Sequence, residues 1–202
     1  MKSLVLIGNG GHCKSCIDII ESTNEYRIKG IIVHPDDSSK TFMNYKVLGN
    51  DNDMGRCFIK NDFALICIGQ IKSAEKRINI FDLLNKNKIL MATIRSKYSI
   101  VSRYSNVGHG SIVMHNVIIN SASEIGYNCI LNTNSLIEHD VTVGNHCHIS
   151  TGVIINGGVN IGDCSFIGSG CIIKEGVRIG KRVVISAGKT VMEDIPSDVI
   201  LK

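Results

Sequence analysis

His139 stands in the run Ile137-Glu138-His139-Asp140, an imidazole between two carboxylates. A carboxylate hydrogen-bonded to one ring nitrogen fixes the tautomer and leaves the other nitrogen as a base near neutral pH, which is what proton abstraction requires. Eighteen residues on comes Gly157, in Asn156-Gly157-Gly158, where a bare backbone N–H suits a developing oxyanion. The same residue types also suit a solvated polar corner, so they do not by themselves separate catalysis from turn chemistry. A second group lies near the N-terminus, where the apolar run Ser3 to Ile7 ends at Gly8-Asn9-Gly10-Gly11-His12. Glycines between a strand and a helix let a ligand approach the backbone, and the helix N-terminus attracts phosphate. A phosphate or nucleotide-sugar pocket is the reading here, with a plain tight turn as the alternative. The full dinucleotide fingerprint wants a glycine where Cys13 stands, and the second strand ends in Val33-His34-Pro35 rather than in an acidic residue, so NAD is not expected.

Other reactive side chains carry less. No two of His109, His115, His139, His146 and His148 are a multiple of eighteen apart, and His146 and His148 lack an obvious third ligand, so no metal is expected. Cys13-Lys14-Ser15-Cys16 has redox-motif spacing but follows a glycine turn, and packing thiols are the better reading. The remaining cysteines are expected to be reduced; Cys129, Cys147 and Cys171 fall in a small-residue column described next.

The element that must position His139 is a repeat. From Val101 an aliphatic residue recurs at every sixth position through Val191, and Gly108, Gly126, Gly144, Gly162 and Gly180 follow every third of these. Two positions before each aliphatic residue, from Ser111 to Val183, only Ser, Val or Cys occurs. Both columns must point into a narrow interior, and three hexapeptides per turn give a left-handed parallel β-helix. A sandwich would not hold one phase over some ninety residues.

The first hundred residues lack this ruler. Apolar runs at Ser3–Ile7, Ile28–Val33, Phe63–Ile68 and Ile89–Ile94 alternate with helical patterns through Ile20 and around Ile78, Ile80, Leu83 and Leu84. That order predicts a Rossmann-like α/β unit. The expected division is residues 1–94 for this unit and 95–202 for the solenoid. A net charge of +4 with interleaved signs argues against a nucleic-acid surface, and no run approaches a membrane span, so a cytoplasmic protein is expected.

The loop GNGGH together with LNTNSLIEHDVTVG and HISTGVIINGGVNIG resembles the bacterial sugar acetyltransferases grouped with sialic-acid O-acetyltransferase and the UDP-4-amino-sugar N-acetyltransferases. The resemblance implies a homotrimer with acetyl-coenzyme A in a groove between adjacent solenoids. It places the catalytic histidine at His139, its orienting carboxylate at Asp140 and the backbone donor at Gly157. It also implies that His148 is a second histidine brought across the interface, that Asn132 is a polar residue beside the catalytic histidine, and that Ser169 and Ala187 line the coenzyme groove. Gly8, Gly10 and His12 match the sugar-nucleotide loop. Two features depart from the family: His34-Pro35 replaces an acidic residue after the second strand, and the sequence ends at Lys202 without a glycine-and-proline tail, which implies looser coenzyme binding.

The expected activity is acetyl-coenzyme A-dependent O-acetylation of sialic acid or its activated form in surface polysaccharide biosynthesis. The alternatives are N-acetylation of a UDP-4-amino sugar and, in another class, a non-catalytic scaffold that binds a sugar nucleotide.

Overall fold

A computed structural model describes residues 1–202. The first apolar run forms β1 (Lys2–Ile7), and the glycine loop leads into α1 (Gly11–Thr23). Cys13, Cys16, Ile17 and Ile20 repeat at helical spacing and give α1 one buried stripe; Asn24 ends it in the left-handed conformation. β2 (Tyr26–Val33) follows, then β3 (Thr41–Phe42) and β4 (Tyr45–Asn50), a short 3-10 turn over Asp51–Asp53, and α2 (Met54–Cys57). β5 (Phe63–Ile66), α3 (Glu75–Lys86) and β6 (Leu90–Met91) complete a sheet of order β3-β4-β2-β1-β5-β6. Its neighbours pair in parallel except the β3–β4 hairpin, so the strand C-termini and the loops that follow gather at one edge.

The stretch Ile89–Ile94, read from sequence as one strand, divides. β6 pairs with β5, whereas Ile94–Arg95 pairs with Ile112–Val113 and begins the solenoid. From there two-residue strands recur every six residues and stack into three parallel sheets, the faces of a left-handed β-helix. Face one runs from Ile94–Arg95 through His148–Ile149 to Ile200–Leu201, face two from Ile100–Val101 through Leu136–Ile137 to Thr190–Val191, and face three from Asn106–Val107 to Arg178–Ile179.

The aliphatic column is buried from Ile119 through Val191. The small column is buried too, and its chemistry is more than size. Ser123 Oγ donates to the Glu138 carbonyl at 2.6 Å and accepts from the Val141 N–H at 3.2 Å. Ser111 and Ser165 repeat this pattern, and Cys129 Sγ donates to the Gly144 carbonyl at 3.1 Å. These three hydroxyls thus tie successive coils and answer backbone groups that would otherwise be buried without partners, whereas Ser135 Oγ in the same column is buried with no partner.

Two further periods follow from the corners. From Gly110 to Gly188 every sixth residue has positive φ, Asp140 among them at 60°. The glycines recurring every eighteen mark a corner where successive coils approach closely, since a Cβ at Gly144 would lie 2.7 Å from the Asp163 nitrogen. The outer surfaces differ by face. Face two presents Ile100, Ile118, Leu136, Ile154 and Ile172, with Ile100 64% exposed, whereas face three presents Asn106, Glu124, Thr142, Asn160 and Arg178.

Candidate active site

His139 occupies the corner after face two. Asp140, turned back by its left-handed backbone, accepts from His139 Nδ1 at 2.7 Å, which leaves Nε2 as the bare nitrogen of a neutral ring. Both side chains are exposed. Glu138 lines the same hollow as the imidazole, and its carboxylate accepts from Asn120 Nδ2 at 2.9 Å. One coil on, a Cβ at Gly157 would stand 2.7 Å from His139 Cε1 and 2.8 Å from Nε2. Glycine is therefore what lets the imidazole lie over this backbone. Around the pair is an open hollow of about 630 Å³ lined by Glu138, His139, Asp140, Asn156, Gly157, Gly158, Glu175 and Gly176. Three carboxylates line it, and it has no Lys or Arg.

Across face two, the opposite edge carries the column Thr133, Thr151, Ser169 and Ala187, with Ser169 and Ala187 exposed. Below this edge a cleft of about 550 Å³ lies between the solenoid and the α/β unit, lined among others by Gly11, His12, Gln70, Asn132, His148 and Thr151. His148 is buried there. Its Nδ1 donates to the Gln70 carbonyl at 2.6 Å, so Nε2 is the acceptor, with Asn132 Nδ2 at 3.4 Å. Burial, offset in part by the Gln70 bond, pushes His148 down to about 4, and the ring is neutral at neutral pH. Asn132 thus stands beside His148 and not beside His139 of the same chain, because the two corners sit on opposite edges of face two.

The glycine loop closes a second hollow, of about 370 Å³, with His34, Asp51, Lys76 and Gly69. Positive φ belongs to Gly8, at 102°, where a Cβ would meet Ile68 Cγ1 at 2.6 Å. Gly10 is extended, at φ −82° and ψ −172°, and open on all sides, so it keeps the start of α1 bare rather than relieving strain. The carboxylate missing from the end of β2 arrives four residues after Val33: Asp37 accepts from Asn9 Nδ2 at 2.5 Å. Hydrogen bonds from Ser39 and from Asn9 hold Asp37 below the usual carboxylate range.

Residues that sequence reasoning passed over fasten the two units. Arg77, 1% exposed, donates to the carbonyls of Ile66, Ile68 and Asn128 at 2.7–3.0 Å and to Asn128 Oδ1 at 2.6 Å. Burial lowers it to about 10, still charged at neutral pH. Gln70 donates to the His146 carbonyl at 2.9 Å while its own carbonyl holds His148. Phe81 stacks on Tyr127 at 4.9 Å, with His109 and His146 against the pair. Of the histidines weighed as zinc ligands, His109, His146 and His148 therefore serve this junction, and no group of three His, Cys, Asp or Glu side chains is arranged to hold a metal. All eight cysteines are free, Cys13 and Cys16 packed in the interior.

Residues 3–84 match the PglD N-terminal domain, residues 124–156 the hexapeptide repeat of succinyl-transferase, and residues 158–192 the bacterial transferase hexapeptide. The chain is an acyltransferase, and its solenoid carries hexapeptide repeats. No curated protein matches it. Among solved structures, PerB from Caulobacter crescentus, in complex with CoA and GDP-perosamine, is 26% identical with a TM-score of 0.90, over 99% of this chain and 93% of that one. The acetyltransferase domain of PglB from Neisseria gonorrhoeae is 22% identical with a TM-score of 0.91, over 99% and 96%. WeeI from Acinetobacter baumannii is 20% identical with a TM-score of 0.85, over 98% and 95%. The last two show that this acyltransferase shares its fold from end to end. No helix is long and apolar enough to cross a membrane.

Proposed function

We propose that the chain transfers the acetyl group of acetyl-coenzyme A to the amine of a nucleotide-linked amino sugar. The observation that carries the choice of acceptor is the hollow at His139, where Glu138, Asp140 and Glu175 supply three carboxylates and no Lys or Arg answers them. Sialic acid would bring its own carboxylate into that field, whereas an amino sugar brings an ammonium that the field attracts. PerB, a perosamine N-acetyltransferase with a nucleotide sugar bound, supports the same choice. N-acetylation therefore takes precedence over the O-acetylation of sialic acid expected from the sequence.

A neighbouring copy completes the site in this reading. The base and the Ser169–Ala187 edge lie on opposite sides of face two, so one solenoid cannot present both to one ligand. Face two's aliphatic ladder is the surface a second copy would cover, and cyclic packing of three such prisms would bring the His139 edge of one copy to the His148 edge of the next. The edge column Thr151, Ser169, Ala187 is small and open, which fits an extended pantetheine; acetyl-coenzyme A supplies the activated thioester there. The bound ammonium first releases one proton to solvent to give the free amine. His139 Nε2 then takes a second proton from the attacking nitrogen, Asp140 stabilises the resulting imidazolium, and the Gly157 N–H faces the forming oxyanion. An amide bond forms, the thioester C–S bond breaks, and His139 returns its proton to the leaving sulfur.

The deciding experiment is release of free coenzyme A with a panel of acceptors. Turnover with nucleotide-linked amino sugars and none with sialic acid or its activated form is expected. The reverse preference overturns the reading, and no turnover with any acceptor in the presence of bound acetyl-coenzyme A supports the scaffold.

A further inference from the structure

The loop hollow does not end at the phosphate-sized space beside α1. Asp51 and Lys76 line it and also line an adjoining groove of about 510 Å³, so the two form one trough. The groove's floor is apolar, with Met54 and Ile80 buried and Leu83 partly exposed, and its polar groups are Asp51, Ser73, Glu75, Lys76 and Asn79. A flat ring on an apolar floor with a few placed polar groups is the usual design of a nucleobase subsite. Resting on the nucleotide-sugar reading above, we infer that this groove holds the base of the sugar nucleotide and that Asp51 selects guanine.

The selection follows from hydrogen-bond arithmetic. An ionised carboxylate only accepts, through two parallel oxygens. Guanine alone among the common bases offers two adjacent donors, N1–H and the 2-amino group, and can meet both oxygens at once. Uracil offers one N–H between two carbonyls, which the carboxylate repels, and adenine and cytosine set a single amino donor beside a ring acceptor. The Asn79 carboxamide can donate to a base carbonyl. Lys76, 3.9 Å from Asp51, lines both halves of the trough, where its ammonium serves the diphosphate without choosing among bases. Good bidentate base contacts discriminate by roughly five- to a hundredfold, and because Asp51 is 26% exposed the lower part of that range applies.

Calorimetric titration of the unaltered chain with GDP, UDP, ADP and inosine diphosphate tests this directly. GDP is expected to bind about tenfold tighter than the other three; inosine diphosphate is the telling case because it lacks only the 2-amino group. Asp51→Asn should bring GDP down to the level of UDP, while Lys76→Ala should weaken all four by a similar factor. UDP equal to or tighter than GDP, or an unchanged GDP preference in Asp51→Asn, overturns the inference and leaves the N-acetyltransferase reading standing. Binding of none of the four overturns both.

Discussion

A histidine, an aspartate and a glycine make up the proposed catalytic corner, and each can be tested separately. His139→Ala should lower turnover by about 10²–10⁴-fold, the usual range for a general base, with unchanged thermal unfolding because the side chain is exposed. Near-normal turnover would remove His139 from the mechanism. Gly157→Ala is the sharper probe. Its methyl would displace the imidazole by close contact at 2.7 Å, yet an exposed ring can swing into solvent, so activity should fall while stability holds. Parallel losses in both would instead mean that the corner itself is broken. At this scale the sequence was readable where a residue acts with its chain neighbour, as His139 does with Asp140. It was not readable where partners come from elsewhere in the chain: Glu138 bonds Asn120, 18 residues back, and Asp37 bonds Asn9, 28 residues back.

Where elements meet, the chemistry depends on buried groups that no motif announces. His148 is held neutral between the Gln70 carbonyl and Asn132, with its acidity pushed to about 4, below the ordinary histidine value near 6.5. Between those values the unfolded chain binds a proton that the folded chain excludes, so stability rises with pH across this window and is lost as pH falls through it, by roughly 3 kcal/mol for this residue. Burial shifts His146 in the same direction. Urea midpoints should therefore drop from pH 7 to pH 4, and His148→Gln should flatten the curve; an equally steep curve in that variant would place the effect elsewhere. Arg77→Ala strands three buried acceptors, the carbonyls of Ile66 and Asn128 and Asn128 Oδ1, and should cost at least about 3 kcal/mol in the same measurement. The α/β elements themselves were legible from apolar runs and glycines. The β3–β4 hairpin was not, because β3 is only two residues long, both strands are at most partly buried, and the turn uses left-handed Met43 and Asn44 rather than a recognisable glycine.

For the whole molecule, the six-residue ruler made the solenoid plain, whereas the face proposed to meet a neighbour stands out only in the outward positions, aliphatic on face two and polar on face three. Leu136→Glu with Ile154→Glu should break the proposed assembly into monomers by light scattering and abolish turnover while leaving the fold by circular dichroism. An active monomer would show that one chain suffices. The stack of coils also makes the proposed site a matter of phase. His139 and Gly157 are neighbours only because eighteen residues make one full turn around the prism. Excising one hexapeptide between them would keep every inward residue inward, since the period of six survives, yet it would carry the glycine a third of a revolution away from the base. Such a chain would be ordered and chemically silent. Removing a whole coil would instead bring another residue of the same column, Glu175, over the histidine. Folding in this architecture counts in sixes, and the proposed chemistry counts in eighteens.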